Sequence, residues 1–77
     1  MTDPLLEDVQ RGFKVYAGAD ELGKVDAVDE HELVVSKGTL VKHTYHVPAE
    51  FIEEVSPGVV DLKVDRQTVE EFQNQQS

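Results

Sequence analysis

The chain is 77 residues long and carries 16 Asp and Glu against 7 Lys and Arg, a formal charge of −9, with no cysteine and no tryptophan. At this length one domain is the upper bound, and a chain that buries only about 60% of its unfolded surface gets no help from disulfides. The charge repels phosphate backbones and anionic lipid, the longest apolar runs, such as Leu33-Val34-Val35, are far too short to span a bilayer, and 39% hydrophobic residues are too many for a disordered acidic chain.

Residues 1–11 read as a partly flexible lead-in. Asp3-Pro4 offers a cap followed by proline at a first helical position, and Leu5, Leu6 and Val9 make one small apolar face. This segment lacks the basic and apolar regions of a secretory signal, so the expected compartment is the cytoplasm. From residue 12 onward valine, with 13 copies in the chain, dominates the apolar set. Branching at Cβ stiffens χ1 and suits a pleated surface. Gly12, Gly18, Gly23, Gly38, Pro48, Pro57 and Gly58 punctuate the chain as short strands joined by tight turns would require.

The first strand is predicted over 12–17, with Phe13, Val15 and Ala17 on one face and Lys14 and Tyr16 on the other. Gly18-Ala19-Asp20-Glu21 turns the chain into a second strand over 24–28. There Val25, Ala27 and Val28 break strict alternation, which predicts a bulge near Ala27. After Asp29-Glu30, a third strand over 32–36 places Leu33 and Val35 together. Lys37-Gly38 is the next turn. A fourth strand over 39–47 sets Val41, His43, Tyr45 and Val47 against Leu40, Lys42, Thr44 and His46, and Pro48 stops it.

Residues 49–55 hold Phe51, Ile52 and Val55 at helical spacing, predicting a short helical turn that plugs one end of the sheet. Ser56-Pro57-Gly58 is a turn signal. A fifth strand over 59–64 points Val60, Leu62 and Val64 inward and Asp61 and Lys63 outward. Asp65 can cap a short helix, with Thr68 and Glu71 as a capping box and Val69 and Phe72 as the pair that docks it. Residues 74–77 read as a loose polar tail. The whole forms one small domain over 12–73. Five to six short strands are too few for a two-sheet sandwich; a small antiparallel β-barrel with a short C-terminal helix fits better, because closure removes exposed edges.

The run Gly12-Phe13-Lys14-Val15-Tyr16-Ala17, then Leu22-Gly23-Lys24-Val25, resembles the opening of PRC-barrel-like domains. His43-Thr44-Tyr45-His46-Val47-Pro48, Phe51, Val55 and Val59-Val60-Asp61-Leu62 look like the remainder. The resemblance covers roughly residues 9–72 and lies closest to a family of short bacterial proteins of unknown function. Its motifs are structural glycines and apolar positions. It implies a small barrel used as a protein-binding assembly module, with no catalytic residues to carry over. The chain departs from the resemblance in one expected respect: its 77 residues leave no room for the additional domain that accompanies such a barrel in a ribosome-maturation factor.

Chemistry-bearing residues are sparse. His31, His43 and His46 invite a metal reading, but His43 and His46, three apart on a strand, point to opposite faces. Solvent-exposed or hydrogen-bonded histidines are the simpler account. Asp20, Glu21, Asp26, Asp29, Glu30 and Glu32 lack the spacing of a calcium loop. Ser36, Ser56 and Ser77 lack a nucleophile-elbow context, Gly18 and Gly23 do not make a phosphate loop, and the neighbours Glu53 and Glu54 are no sign of acid–base work. No catalytic, cofactor-binding or metal-ligating residue is assigned.

The expectation is a non-enzymatic β-barrel without a cofactor, acting through a protein partner, a homodimer included, and not through nucleic acid or membrane. The alternative is a small-ligand or metal-ion binding protein that uses the barrel mouth near His43 and Tyr45, where aromatic and hydroxyl groups would line a pocket.

Overall fold

A computed structural model describes residues 6–38 and 43–75. Six strands, β1 (Lys14–Ala17), β2 (Asp20–Val28), β3 (Glu32–Lys37), β4 (His43–Pro48), β5 (Ile52–Ser56) and β6 (Val59–Leu62), form one sheet in the order β4-β3-β2-β1-β6-β5. A 3₁₀ turn, Ala49–Phe51, joins β4 to β5, and one helix, α1 (Arg66–Gln75), follows β6.

The tight turns sit where the glycines require them. Gly18, at φ 66°, occupies the first loop position between Ala17 and Asp20, which pair across the β1–β2 hairpin. That is the place where a II′ hairpin turn needs positive φ. Charged Asp20-Glu21 reads as turn in the sequence, yet both residues belong to β2, which therefore starts four residues earlier than predicted. The two-residue loop needs no more chain.

β2 is the pivot of the sheet. Its first half pairs with β1 and its second half with β3, and Lys24 pairs with Lys14 on one side and Ser36 on the other. At the changeover stands Gly23, at φ 151°, where a Cβ would collide with the Ser36 carbonyl oxygen and press on Val35. Only a residue without Cβ permits that approach of two backbones. Two register shifts curl the strand further. One, opposite Val15 and Tyr16, leaves Leu22 between the paired Glu21 and Gly23; the other falls between Val25 and Ala27, where the alternation breaks in the sequence.

The curled sheet wraps a core of Val15, Ala17, Leu22, Val25, Leu33, Val35, Val47, Ile52, Val60 and Leu62. Leu6 and Val9 of the lead-in, Ala49 of the 3₁₀ turn and Val69 of α1 complete it. No polar or charged side chain among the described residues is buried.

Four expectations change. The sheet is mixed, not antiparallel throughout: β6 returns to the free side of β1 and pairs with it in parallel, Lys14 with Val59 through Ala17 with Leu62. Among the described residues β4 and β5 end the sheet and do not pair with each other. The helical turn expected over 49–55 stops at Phe51, and from Ile52 the chain is strand β5. The Ser56-Pro57-Gly58 turn folds β-branched Ile52 and Val55 back onto Leu62 and Val60, and this cross-strand pairing outweighs the local helical spacing. β6 ends at Leu62, two residues short of the strand predicted to Val64.

Residues 39–42, where the fourth strand was expected to begin, lie outside the described residues, as do Leu5 and residues 76–77. Asn74 and Gln75 belong to α1 and not to a loose tail.

Candidate functional site

The two end strands meet at one corner. The 3₁₀ turn is tied to both wings of the sheet, Ala49 donating its N–H to the His31 carbonyl at 2.9 Å and Lys63 donating to the Phe51 carbonyl at 2.8 Å. From that corner the free edges of β4 and β5 diverge, and they are treated differently.

Helix α1 covers β4. Asp65 caps it, its Oδ1 accepting from the Thr68 N–H at 2.8 Å and from the Thr68 hydroxyl at 2.7 Å. These bonds to Thr68 hold the Asp65 carboxyl below the usual carboxylate range. The Thr68 hydroxyl is thus spent on Asp65, so the capping pair is Asp65 with Thr68 and not Thr68 with Glu71. Val69 is fully buried, and Phe72 meets Phe51 edge to face at 5.4 Å between centroids, so the predicted docking pair is the one the helix uses.

At its end Gln73 reaches the sheet. Its Oε1 accepts from the His46 N–H at 2.7 Å, and its Nε2 donates to the His46 carbonyl at 2.6 Å. A carboxamide has the donor and acceptor of a peptide unit, so Gln73 stands where a neighbouring strand would stand. Its Nε2 also reaches the Val69 carbonyl at 3.0 Å, which fixes the side chain to its own helix.

Among the described residues β5 has no such cover. Ser56 and Val59 flank the two-residue Pro57-Gly58 loop and pair with each other. Alternation along an antiparallel ladder then turns the N–H and C=O of Val55 away from β6, and among the described residues neither group has a bonding partner on that side. A register shift between Ile52 and Glu54 leaves Glu53 without an opposite residue, and Glu53 and Glu54 are both exposed. Beside this edge lies a cleft of about 250 Å³ lined by Asp8, Phe13, Val55, Ser56 and Pro57. Phe13 and Val55 are half-buried and pack on the core, so the cleft is where the core comes nearest to the open edge.

The histidines do not converge. His31 is exposed in the β2–β3 turn and His43 is exposed at the start of β4. His46, on the outer face, places Nδ1 3.3 Å from Glu32 Oε1. Among the described residues no three His, Asp or Glu side chains are placed to hold one metal ion. Asp29, Glu30, His31 and Glu32 do come together with Pro48 and Phe72 around a shallow depression of about 450 Å³.

Tyr45 packs on the core beside Arg66; Tyr45 first, and the Glu70 carboxylate second, hold that guanidinium above its ordinary value. Neither His43 nor Tyr45 lines any of the depressions described. Tyr16 is half-buried, paired beside Asp61 and Glu21.

Sequence reasoning missed both edge features. Gln73 carries no motif, and nothing local distinguishes it from the glutamines around it. β5 was hidden by Phe51, Ile52 and Val55 standing at helical spacing; the signal that could have found it is the Pro57-Gly58 hairpin turn between β-branched residues. No helix among the described residues is long and apolar enough to cross a membrane. No family model, curated protein or solved structure matches the chain.

Proposed function

We propose that the chain is a non-enzymatic interaction module, a small barrel-like sheet that works by holding another protein. The observation that carries this reading is the asymmetry of the two edges. A small protein gains by covering a strand edge, and among the described residues β4 is covered by a dedicated helix and glutamine while β5 is open beside a cleft that Phe13, Val55 and Pro57 share with Asp8 and Ser56. The PRC-barrel-like resemblance supports the same reading, since it implies a protein-binding barrel and no catalytic residues. The barrel itself belongs to this proposal, supported by the 3₁₀ turn that joins β4 directly to β5 and by the packing of α1 on β4.

The test is a map of amide shifts on the labelled chain when a partner captured from its own cells is titrated in. Changes clustered over 53–57 and at Phe13 support the module. Changes at His43 and Tyr45 on screening cations and metabolites, with no protein partner, would replace it with the ligand-binding alternative. A homodimer is the self-associating form of the module, and sedimentation as a clean monomer at micromolar concentration rejects it.

A further inference from the structure

We infer that the open edge of β5 takes an extended cationic segment of another protein as an added strand, with cations alternating with apolar residues. This inference deepens the interaction-module reading and rests on it.

The backbone supplies the first requirement. Val55 presents an outward N–H and C=O, the pair of groups that strand addition uses. The cleft supplies the second. Val55 shares the inner face with Val60, its cross-strand partner, and lies beside Phe13 and Pro57. An added strand therefore lays every second side chain against Val55, Phe13 and Pro57, in a cleft that Asp8 and Ser56 also line. Charge supplies the third. Glu54 and its cross-strand partner Asp61 stand on the opposite face, Glu53 flanks them, and Asp8 borders the cleft. Side chains between the apolar ones thus lie next to carboxylates, where cations are favoured and acids are not.

The same charges choose between occupants. Antiparallel pairing of β5 with a second copy of itself would bring the exposed Glu53 and Glu54 of both chains to one seam, and each chain would bring a net charge of −9. Like charges gathered across a strand pair are destabilising. The two glutamates and the register shift are devices that keep identical edges apart, and they leave the edge selective for a strand of opposite sign.

The probe is the acetylated, amidated heptapeptide Lys-Val-Arg-Val-Lys-Val-Arg, titrated into the full chain by calorimetry and amide shift mapping. Three controls accompany it: its acidic twin with Glu at every cationic position, a form N-methylated at alternate amides, and the variant Glu53→Lys with Glu54→Lys. Both substituted positions are exposed, and a circular-dichroism melt verifies that the variant folds.

The expected result is binding with shifts at Val55, Ser56 and Phe13. Affinity should fall about tenfold in the double variant, weaken with added salt, and be lost for the acidic twin and the N-methylated peptide. Retained binding of the N-methylated form overturns strand addition, equal binding of the acidic twin overturns the charge argument, and no binding overturns both. A captured partner whose shifts fall away from β5, and whose binding survives the double substitution, overturns this assignment while the module reading stands. Absence of any partner together with a silent peptide series sinks the two together.

Discussion

The two ends of the sheet solve one physical problem in opposite ways. β4 and β5 are both end strands of the sheet, and the outer donors and acceptors of an end strand are a template for any passing strand. At β4 the chain spends ten residues on α1 and closes the peptide of His46 with the carboxamide of Gln73. At β5 it leaves the Val55 peptide groups outward and adds two glutamates and a register shift. Covering an edge silences it toward every partner. Charging an edge silences it only toward partners of the same sign. The difference separates protection from selectivity.

The comparison can be broken hardest at Val69, which is fully buried under α1. Val69→Asp should cost about 3–5 kcal/mol in urea unfolding, because an unpaired charge is forced into the core. In whatever population stays folded, the His46 amide should lose hydrogen-exchange protection while Glu54, paired with Asp61 on β6, keeps more of its own.

Gly23→Ala comes next, at about 2–3 kcal/mol, since the methyl meets the Ser36 carbonyl oxygen at a positive φ. It strikes where β2 passes from the wing that leads to β5 to the wing that leads to β4. Changed amide shifts should therefore spread along Ser36 and Val35 more than along β6, and an unchanged melting temperature would reject the close-approach account.

A smaller and more selective break is Gln73→Ala. It strips the His46 N–H and C=O of their protein partners, and since His46 is only half-buried, water recovers part of the loss; about 1 kcal/mol is expected. The sharper readout is association. With β4 uncovered, sedimentation should show stronger concentration-dependent self-association than the parent chain shows. Gln73→Glu, which keeps the acceptor for the His46 N–H but loses the donor to its carbonyl, should fall between the two.

The mildest test is pH. The folded-state pKa of Asp65 is lowered by its bonds to Thr68, so its contribution is fully present above the unfolded carboxyl value, about 3.9. It is lost as pH falls through the lower folded value. Acidification below about pH 4 should therefore loosen the start of α1. The difference between the parent and Asp65→Asn, followed at the Thr68 amide, isolates this group. Identical acid profiles would show that the cap contributes nothing.

Local features were legible to the extent that one residue's neighbours determine it. The inward set Val15, Ala17, Leu33, Val35, Val47, Val60 and Leu62 follows from period-two alternation. Gly18 and Pro57-Gly58 mark their own turns, and the Asp65 cap was visible, though its partner was misread because Thr68 and Glu71 stand at the same three-residue spacing as Asp65 and Thr68. β5 was not legible: its five residues have a spacing that suits a helical turn, and only pairing with β6 decides between them. Gln73 was illegible for a similar reason, because its function exists only when the β4 edge arrives beside it.

What the sequence by itself determined is thus a valine-rich, glycine-punctuated, acidic chain of short strands with its apolar residues on one face. Each of those properties is written in residues a few positions apart. What the tertiary structure alone decided is the parallel return of β6 onto β1, the shared pivot of β2 at Gly23, and which of the two sheet ends is covered. Those depend on pairings between distant segments, and a strand's alternation is the same whether its edge is paired, plugged or open.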